Sequence, residues 1–199
     1  MRVGIFLILY VVLGTGAFMA YHAATHHGGI NGYQAAMAFF LVLNFLICLW
    51  EIALGKYITH IHKEYLHFRD VEYKKPSEHI NAVVRLFTKP MSAAEMLSLK
   101  FWSTIWSTYA LYDNCYANRE SYGFFIDVGN GWTTLLPTVA WLVGMTNTFG
   151  VGARWFGIIG LVSFYQEWYG TVIYFFQYCF NCRYKGRAAW EVALFVGLS

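Results

Sequence analysis

Residues 33–55, YQAAMAFFLVLNFLICLWEIALG, decide what kind of protein this chain forms. The run is long enough to cross the roughly 30 Å apolar core of a bilayer as a helix, which takes about 20 residues. Its polar side chains, Asn44, Cys48 and Glu51, follow one another at steps of four and three. Such spacing places them on one face of a helix. The stretch therefore predicts a membrane helix whose polar face is turned toward other helices.

The rest of the chain has the composition of a multi-pass membrane protein. Of its 199 residues 58% are hydrophobic and 13% are charged, whereas a typical soluble domain has about 25% charged residues. Further apolar runs occupy residues 3–21, 122–147 and 155–178, and a shorter one begins at 188. We therefore expect an all-α integral membrane protein, a single domain over 1–199 with four complete transmembrane helices and a truncated fifth. The first run is longer than the apolar part of a usual signal peptide, so we expect it to be retained as a span.

The basic residues indicate how the spans are oriented. Of the 14 Lys and Arg residues, only Arg154 falls on the side opposite the segment 57–105. This asymmetry predicts that the N-terminus and the segment 57–105 face the cytosol, or the stroma or matrix of an organelle. The net charge of +3 then reflects topology, and no interleaved basic and aromatic pattern indicates nucleic-acid binding.

The segment 57–105 is an amphipathic loop between the second and third spans. EYLHF, INAVVRLF and AAEMLSLKFW have helical apolar spacing, interrupted at Pro76 and Pro90. Ser92 and Glu95 have the spacing of a capping box that opens a short helix. We expect helices that lie on the membrane surface or bind other subunits of a membrane complex.

Polar residues recur at helical spacing on the third and fourth spans as well. They are Asp127, Asn130, Gly131, Thr134 and Thr138 on the third, and Ser163, Gln166 or Glu167, Gly170, Tyr174 and Gln177 on the fourth. Three neighbouring polar faces predict a shared interior, either closed by hydrogen bonds or open as a cavity. Stripes of Thr, Asn and Gly also serve only to hold helices together. Acids within the apolar runs are Glu51, Asp127 and Glu167, with Glu191 on the last run. Of these, Glu51 and Asp127 suit proton exchange.

The stretch 106–116, WSTYALYDNCY, surrounds the single acid Asp113 with aromatic residues. One interpretation is that Trp106, Tyr109 and Tyr116 cover a cavity, with Asp113 hydrogen-bonded to tyrosine hydroxyls or to the backbone. An aromatic belt at the membrane interface with a solvated Asp113 is the alternative interpretation.

Cysteine and histidine patterns do not indicate a metal centre. Cys179 and Cys182 form a C-x-x-C pair, but no second pair of ligands at matching spacing accompanies it. Histidines cluster after the first and second spans, where ligation of a metal or pigment is the alternative to ordinary solvated side chains: His22, His26 and His27, then His60, His62 and His67. We expect neither a metal nor a cofactor.

The pattern W-x-x-Y-A-x-x-D-x-x-Y at 106–116, followed by an acid in the next span, resembles the emopamil-binding protein family. This family is the sterol Δ8–Δ7 isomerase group of the EXPERA superfamily. The run WYGTVIYF at 168–175, preceded by Gln166, resembles the fourth-span signature of the family. The resemblance implies a five-helix bundle around a lipid-accessible cavity in the endoplasmic reticulum. It also implies proton transfer by Glu51 and Asp127 and ligand binding by Trp106, Tyr109, Asp113, Tyr116, Asn130, Gln166, Tyr169, Gly170 and Tyr174.

Three departures from the family bear on catalysis. Ile47 stands where the isomerases have a histidine, Asp127 replaces a glutamate, and the fifth span is cut short. We therefore expect binding of a sterol or isoprenoid lipid, with catalysis in doubt. The alternatives are an active cofactor-independent isomerase, a sterol-transport factor, and a non-catalytic accessory subunit of a respiratory or photosynthetic complex. The last would reside in the mitochondrial inner membrane or the thylakoid and dock through 57–105.

Overall fold

The computed structural model describes residues 1–25, 29, 31–145 and 152–197. Within these ranges the protein contains nine α-helices and no strand. They are α1 (Val3–Thr25), α2 (Gly32–His67), α3 (His79–Thr88), α4 (Ala93–Met96), α5 (Leu99–Tyr109), α6 (Tyr122–Thr133), α7 (Leu135–Gly144), α8 (Ala153–Phe180) and α9 (Ala189–Phe195). The predicted all-α class is confirmed.

Two of these helices, α1 and α2, are long and apolar enough to cross a membrane. In the described part of the chain, α8 and the α6–α7 pair do not meet the same combination of length and hydropathy. Helices of this kind also occur as signal sequences and as core helices of soluble proteins. The placement of all four expected spans in a membrane therefore stays a prediction.

The apolar run 122–147 forms two helices instead of one. α6 ends at Thr133 and α7 begins at Leu135, with Thr134 between them at φ −96° and ψ −13°. Pro137 explains the break, because proline has no amide hydrogen and its ring crowds the carbonyl four residues earlier, which is that of Thr133.

The segment 57–105 is helical, as its apolar spacing predicts. α2 continues beyond the expected end at residue 55, through a kink at Tyr57 and a π-helical turn at Phe68–Glu72. A 3₁₀ turn at Pro76–Glu78 leads into α3. The capping box that opens α4 is confirmed, since Ser92 Oγ accepts from the Glu95 amide and Glu95 Oε2 accepts from the Ser92 amide.

α2 is the central helix of the bundle and packs against α1, α5, α6 and α7. The start of the chain is joined to the segment before α4 by backbone hydrogen bonds, from the Val3 amide to Lys89 O and from the Met91 amide to Met1 O. Val3 is fully buried beside Met91 and Trp102. The residues at the N-terminal end of α1 are therefore part of the packed fold.

Candidate functional site

The polar faces of α2, α7 and α8 meet in one half of the bundle. The Asn44 side-chain amide donates to Thr138 Oγ1 at 3.0 Å and to Glu167 Oε1 at 3.1 Å. Cys48 Sγ lies 3.2 Å from Thr134 Oγ1. The expectation of a shared polar interior is confirmed here, and its groups are paired by hydrogen bonds.

Glu51 lies on the same face of α2, one turn after Cys48. It is buried, and the acids Asp127 and Glu167 are close enough to repel its negative charge. Among the described residues no donor forms a hydrogen bond or ion pair with its carboxyl group. Glu51 is thus a buried acid from α2 whose nearest charged neighbours, on α6 and α8, are acids too.

Asp127 is half-buried on α6, and its carboxyl group lies near the hydroxyl of Tyr116. Burial, and after it the negative charge of Asp127, raises the pKa of the Tyr116 hydroxyl well above its usual value. Tyr116 therefore keeps its proton and can donate a hydrogen bond to a neighbouring carboxylate. The two candidate acids are neighbours, and Tyr116 connects one of them to the aromatic residues.

The aromatic residues before and after Asp113 form one buried cluster with α8. The ring centroid of Tyr116 lies 5.1 Å from those of Trp106 and Tyr109 and 6.0 Å from that of Tyr174. Trp106 Nε1 donates to the carbonyl of Trp50 at 2.6 Å, which attaches α5 to α2. These side chains are packed in the core rather than arranged as an interfacial belt.

Asp113 is almost fully buried, with 1% of its surface exposed, and is held by four hydrogen bonds. It accepts from the Tyr174 hydroxyl at 2.9 Å and the Cys115 amide at 3.0 Å. Arg183 Nη1 donates to both carboxylate oxygens at 3.0 Å. Hydrogen bonds to tyrosine and backbone were expected, but the ion pair was missed. The ion pair could have been predicted, because a carboxylate buried among aromatic rings needs a positively charged partner.

The thiol of Cys115 shares this environment. Burial, followed by the adjacent Asp113 carboxylate, raises the pKa of Cys115 above its usual range. The protonated thiol is a poor nucleophile. Cys115 therefore belongs to the packing around Asp113 and does not act as a reactive group.

Tyr112 lies apart from the cluster around Asp113 and faces α9. Its ring centroid is 4.2 Å from that of Phe195, and the guanidinium of Arg187 stacks on it at 5.1 Å. Arg187 also donates to the Leu111 carbonyl and to His79 Nδ1 at 3.2 Å. Since arginine only donates, His79 accepts as a neutral ring. Burial, and then the charge of Arg187, lowers the pKa of His79.

The remaining predicted ligand-binding residues are on α6 and α8. Gln166 donates to Asn130 Oδ1 at 3.0 Å, and both side chains are half-buried. Gly170 is buried where α8 packs against Ile126 of α6. Tyr169 is separate from these residues, because it is 48% exposed and stacks on Tyr165 on the outer side of α8.

Two cavities, of about 630 Å³ and 480 Å³, lie outside the region of Glu51 and Asp127. The larger is formed by α2, α3 and α5 near Glu64, and the smaller by α8 and α9 near Tyr178. Neither is lined by Glu51 or Asp127. In the described ranges no group of three or more His, Cys, Asp or Glu side chains is arranged to hold a metal.

Of the described histidines after the first two spans, three have separate partners. His22 Nδ1 lies 3.1 Å from the Met145 carbonyl, and His62 Nδ1 donates to the Ala117 carbonyl at 2.8 Å. His67 pairs with Glu72 at 3.0 Å. His26 and His27 lie outside the described residues.

A comparison of the chain with protein-family models, with curated proteins and with solved structures finds no match.

Proposed function

We propose that this chain is a multi-pass membrane protein of the emopamil-binding type that binds a sterol or isoprenoid lipid. Glu51 and Asp127 would recognise the polar end of the ligand, and the cluster of Trp106, Tyr109 and Tyr116 would contact its apolar body. The basic residues on the side of the segment 57–105 favour an orientation with that segment in the cytosol or its organellar equivalent.

One observation carries the proposal, namely that the largely buried carboxyl group of Glu51 has no hydrogen-bond donor among the described residues. A buried carboxyl without a donor is costly, and more so if the surroundings are lipid. Asn44, two turns earlier on the same face of α2, makes two hydrogen bonds within the protein. The contrast with Glu51 supports a role for Glu51 in binding a ligand. A ligand hydroxyl would supply the donor that the chain does not.

The half-buried polar groups on α6 and α8 support an entrance beside Asp127. Gly131 of α6 packs directly on Glu51, so the two helices leave little room at that level. Asp127, Asn130 and Gln166 retain exposed surface. We infer that a ligand approaches along α6 and α8 and reaches Glu51 when α6 moves away from α2.

Lipid analysis tests the proposal. The protein is extracted in mild detergent, and its bound lipids are quantified by mass spectrometry against those of the whole membrane. We expect enrichment of a sterol or isoprenoid lipid, and about tenfold less of it in Glu51→Gln and Asp127→Asn, since each variant replaces a carboxyl group that contacts the polar end of the ligand. Glu120→Gln, in an exposed loop, serves as the matched control.

A bound-lipid profile identical to that of the membrane would refute the proposal. Enrichment that survives in both variants would refute the role of the two acids.

The proximity of Glu51 to Asp127 favours one second candidate, an active isomerase. One acid would protonate a ring double bond, and a base would remove a neighbouring proton, so that no cofactor is needed. Ile47 in place of the family histidine argues against it. Conversion of a Δ8 sterol by the purified protein, lost in Glu51→Gln, would support the isomerase, whereas lipid retention without conversion would support binding alone.

A further inference from the structure

The 630 Å³ cavity on the basic side of the bundle carries charges of both signs. It is enclosed by the end of α2, by α3 and by α5. Glu64 and Glu72 supply negative charge to its lining, and Arg85 and Lys89 supply positive charge. A site with this lining suits a ligand that itself carries both charges, and it differs in chemistry from the acidic interior around Glu51.

Glu72 is already neutralised within the protein. It accepts a hydrogen bond from Arg85 and pairs with His67 Nε2 at 3.0 Å. Arg85 also donates to the Tyr73 hydroxyl at 3.3 Å. These groups are connected to one another along one side of the cavity. Glu64 is the acid of the cavity lining that has no positively charged partner among them.

Glu64 has one satisfied and one unsatisfied carboxylate oxygen. Oε1 accepts a long hydrogen bond of 3.5 Å from Thr104 Oγ1. Oε2 is buried and has no hydrogen-bond partner in the described part of the chain. Phe68 and Tyr73, whose rings lie edge to face at 5.7 Å, line the same cavity. A carboxylate oxygen beside aromatic rings is the chemistry that binds an ammonium group.

Lys89, at the end of α3, is the lysine that borders the cavity. Its ammonium lies 4.8 Å from the ring centroid of Phe101, and no carboxylate of the described residues is within 4.0 Å of it. Lysine is a common ligand of phosphate groups. The cavity therefore offers one group for a cation and another for an anion.

Apolar side chains are exposed on the elements around this cavity. Val84 and Phe87 of α3 are 54% and 44% exposed, whereas Ala82 and Leu86 of the same helix face the core. Val71, in the turn after α2, is 59% exposed. Apolar groups interspersed with lysines are typical of a surface that lies at the boundary of a membrane. A membrane boundary at this surface rests on the membrane placement proposed above, but it does not depend on the sterol ligand.

We propose that the cavity binds the aminoethyl phosphate head group of an ethanolamine phospholipid. The primary ammonium donates to the Glu64 carboxylate and to the Thr104 hydroxyl, while the phosphate contacts Lys89. The acyl chains leave across Val84 and Phe87. A trimethylammonium group has no N–H, so it would leave the Glu64 oxygen without a hydrogen-bond donor. The site therefore prefers ethanolamine to choline head groups.

Titration of the delipidated full-length protein in detergent tests this site. Short-chain phosphatidylethanolamine, phosphatidylcholine of the same chain length and free phosphoethanolamine are compared by calorimetry. We expect ethanolamine lipid to bind about tenfold more tightly than choline lipid. Glu64→Gln removes this preference, whereas Lys89→Gln weakens both lipids because both carry phosphate. Glu120→Gln is the control and binds as wild type does.

Equal affinity for the two lipids, or wild-type selectivity in Glu64→Gln, would overturn the proposal. Free phosphoethanolamine that binds as tightly as the lipid would overturn the assignment to a lipid. Lys89→Gln changes an exposed side chain and tests the phosphate contact even if Glu64→Gln does not fold. Sterol and isoprenoid content, measured on the same preparations before delipidation, separates the two proposals, since the absence of both lipids refutes the first proposal and leaves the head-group result standing.

Discussion

At the scale of the residue, Asp113 connects distant parts of the chain. Its carboxylate joins the turn after α5 to Tyr174 in α8 and to Arg183 beyond the end of that helix. The side chain of Asp113 is fully buried, and that of Arg183 is 17% exposed. Removing one partner of a buried ion pair leaves the other charge without compensation, which is more costly than losing both. Asp113 therefore has a structural role that is independent of any ligand.

Asp113→Asn tests this role. The variant keeps the size of the side chain but leaves Arg183 without an opposite charge, so we expect a loss of about 3 kcal/mol of stability. Thermal unfolding in detergent measures the difference. Glu120→Gln changes an exposed acid and should stay within about 0.5 kcal/mol of wild type. Equal unfolding temperatures for Asp113→Asn and wild type would contradict the structural role.

His79 predicts a pH dependence of the contact between α3 and the end of the chain. Its pKa is lowered in the folded protein, chiefly by burial and then by Arg187, with Tyr112 and Glu191 as the other titratable groups near it. The unfolded state therefore binds more protons below the usual histidine pKa of about 6.5. The stability contributed by neutral His79 is present above that pH and is lost as the pH falls.

Unfolding of wild type and His79→Gln between about pH 5 and 7.5 measures the effect, since this range covers the usual histidine pKa. We expect the stability of wild type to fall more steeply below pH 6.5 than that of the variant. Parallel curves would show that His79 does not carry the dependence.

At the scale of the element, the contact between α2 and α6 depends on glycine. A Cβ at position 131 would lie 2.7 Å from Glu51 Cβ and 2.9 Å from both Cys48 O and the Ile52 amide nitrogen. Backbone atoms cannot move aside as flexible side chains do. Gly55 permits a similar approach from the α2 side, against Val128. The close packing of the two helices keeps Glu51 and Asp127 near each other.

A matched pair of glycine variants tests this contact. Gly131→Ala should destabilise the protein by about 1–3 kcal/mol, because the methyl group must push α6 away from α2. Gly129→Ala, in the same helix, meets no atom within 4 Å and should be neutral or more stable by about 0.5–1 kcal/mol. Thermal unfolding of both variants gives the comparison. The close contact is disproved if the two alanine variants have the same stability.

At the scale of the whole molecule, the protein separates two kinds of site. The interior between α2, α6 and α8 holds acids and aromatic rings. The cavity between α2, α3 and α5 holds charges of both signs and is lined mostly by residues of the segment 57–105. The long α2 lines both regions. Movement of α2 at its kink near Tyr57 would therefore affect both sites.

Much of the fold could be predicted because it depends on local patterns. Apolar runs and helical spacing identified α1, α2 and α8 and the amphipathic helices after α2, and the capping box at Ser92 depends on residues three apart. The polar stripe on α2 also correctly indicated which side chains meet α7 and α8. The continuation of α2 beyond residue 55 was missed because its amphipathic second half lacks the apolar character of a span.

The sequence by itself determined the helical class, the polar faces of the helices and the asymmetry of charge, since these follow from composition and from the period of the helix. Only the tertiary structure decided which partners those polar groups find. Asp113 pairs with Arg183, which lies 70 residues further along the chain. The surroundings of Glu51 and the cavity beside Glu64 are likewise formed by residues that are far apart in the sequence. Such contacts depend on how closely two helices approach each other. The size of the residue at contact positions such as Gly131 sets that distance.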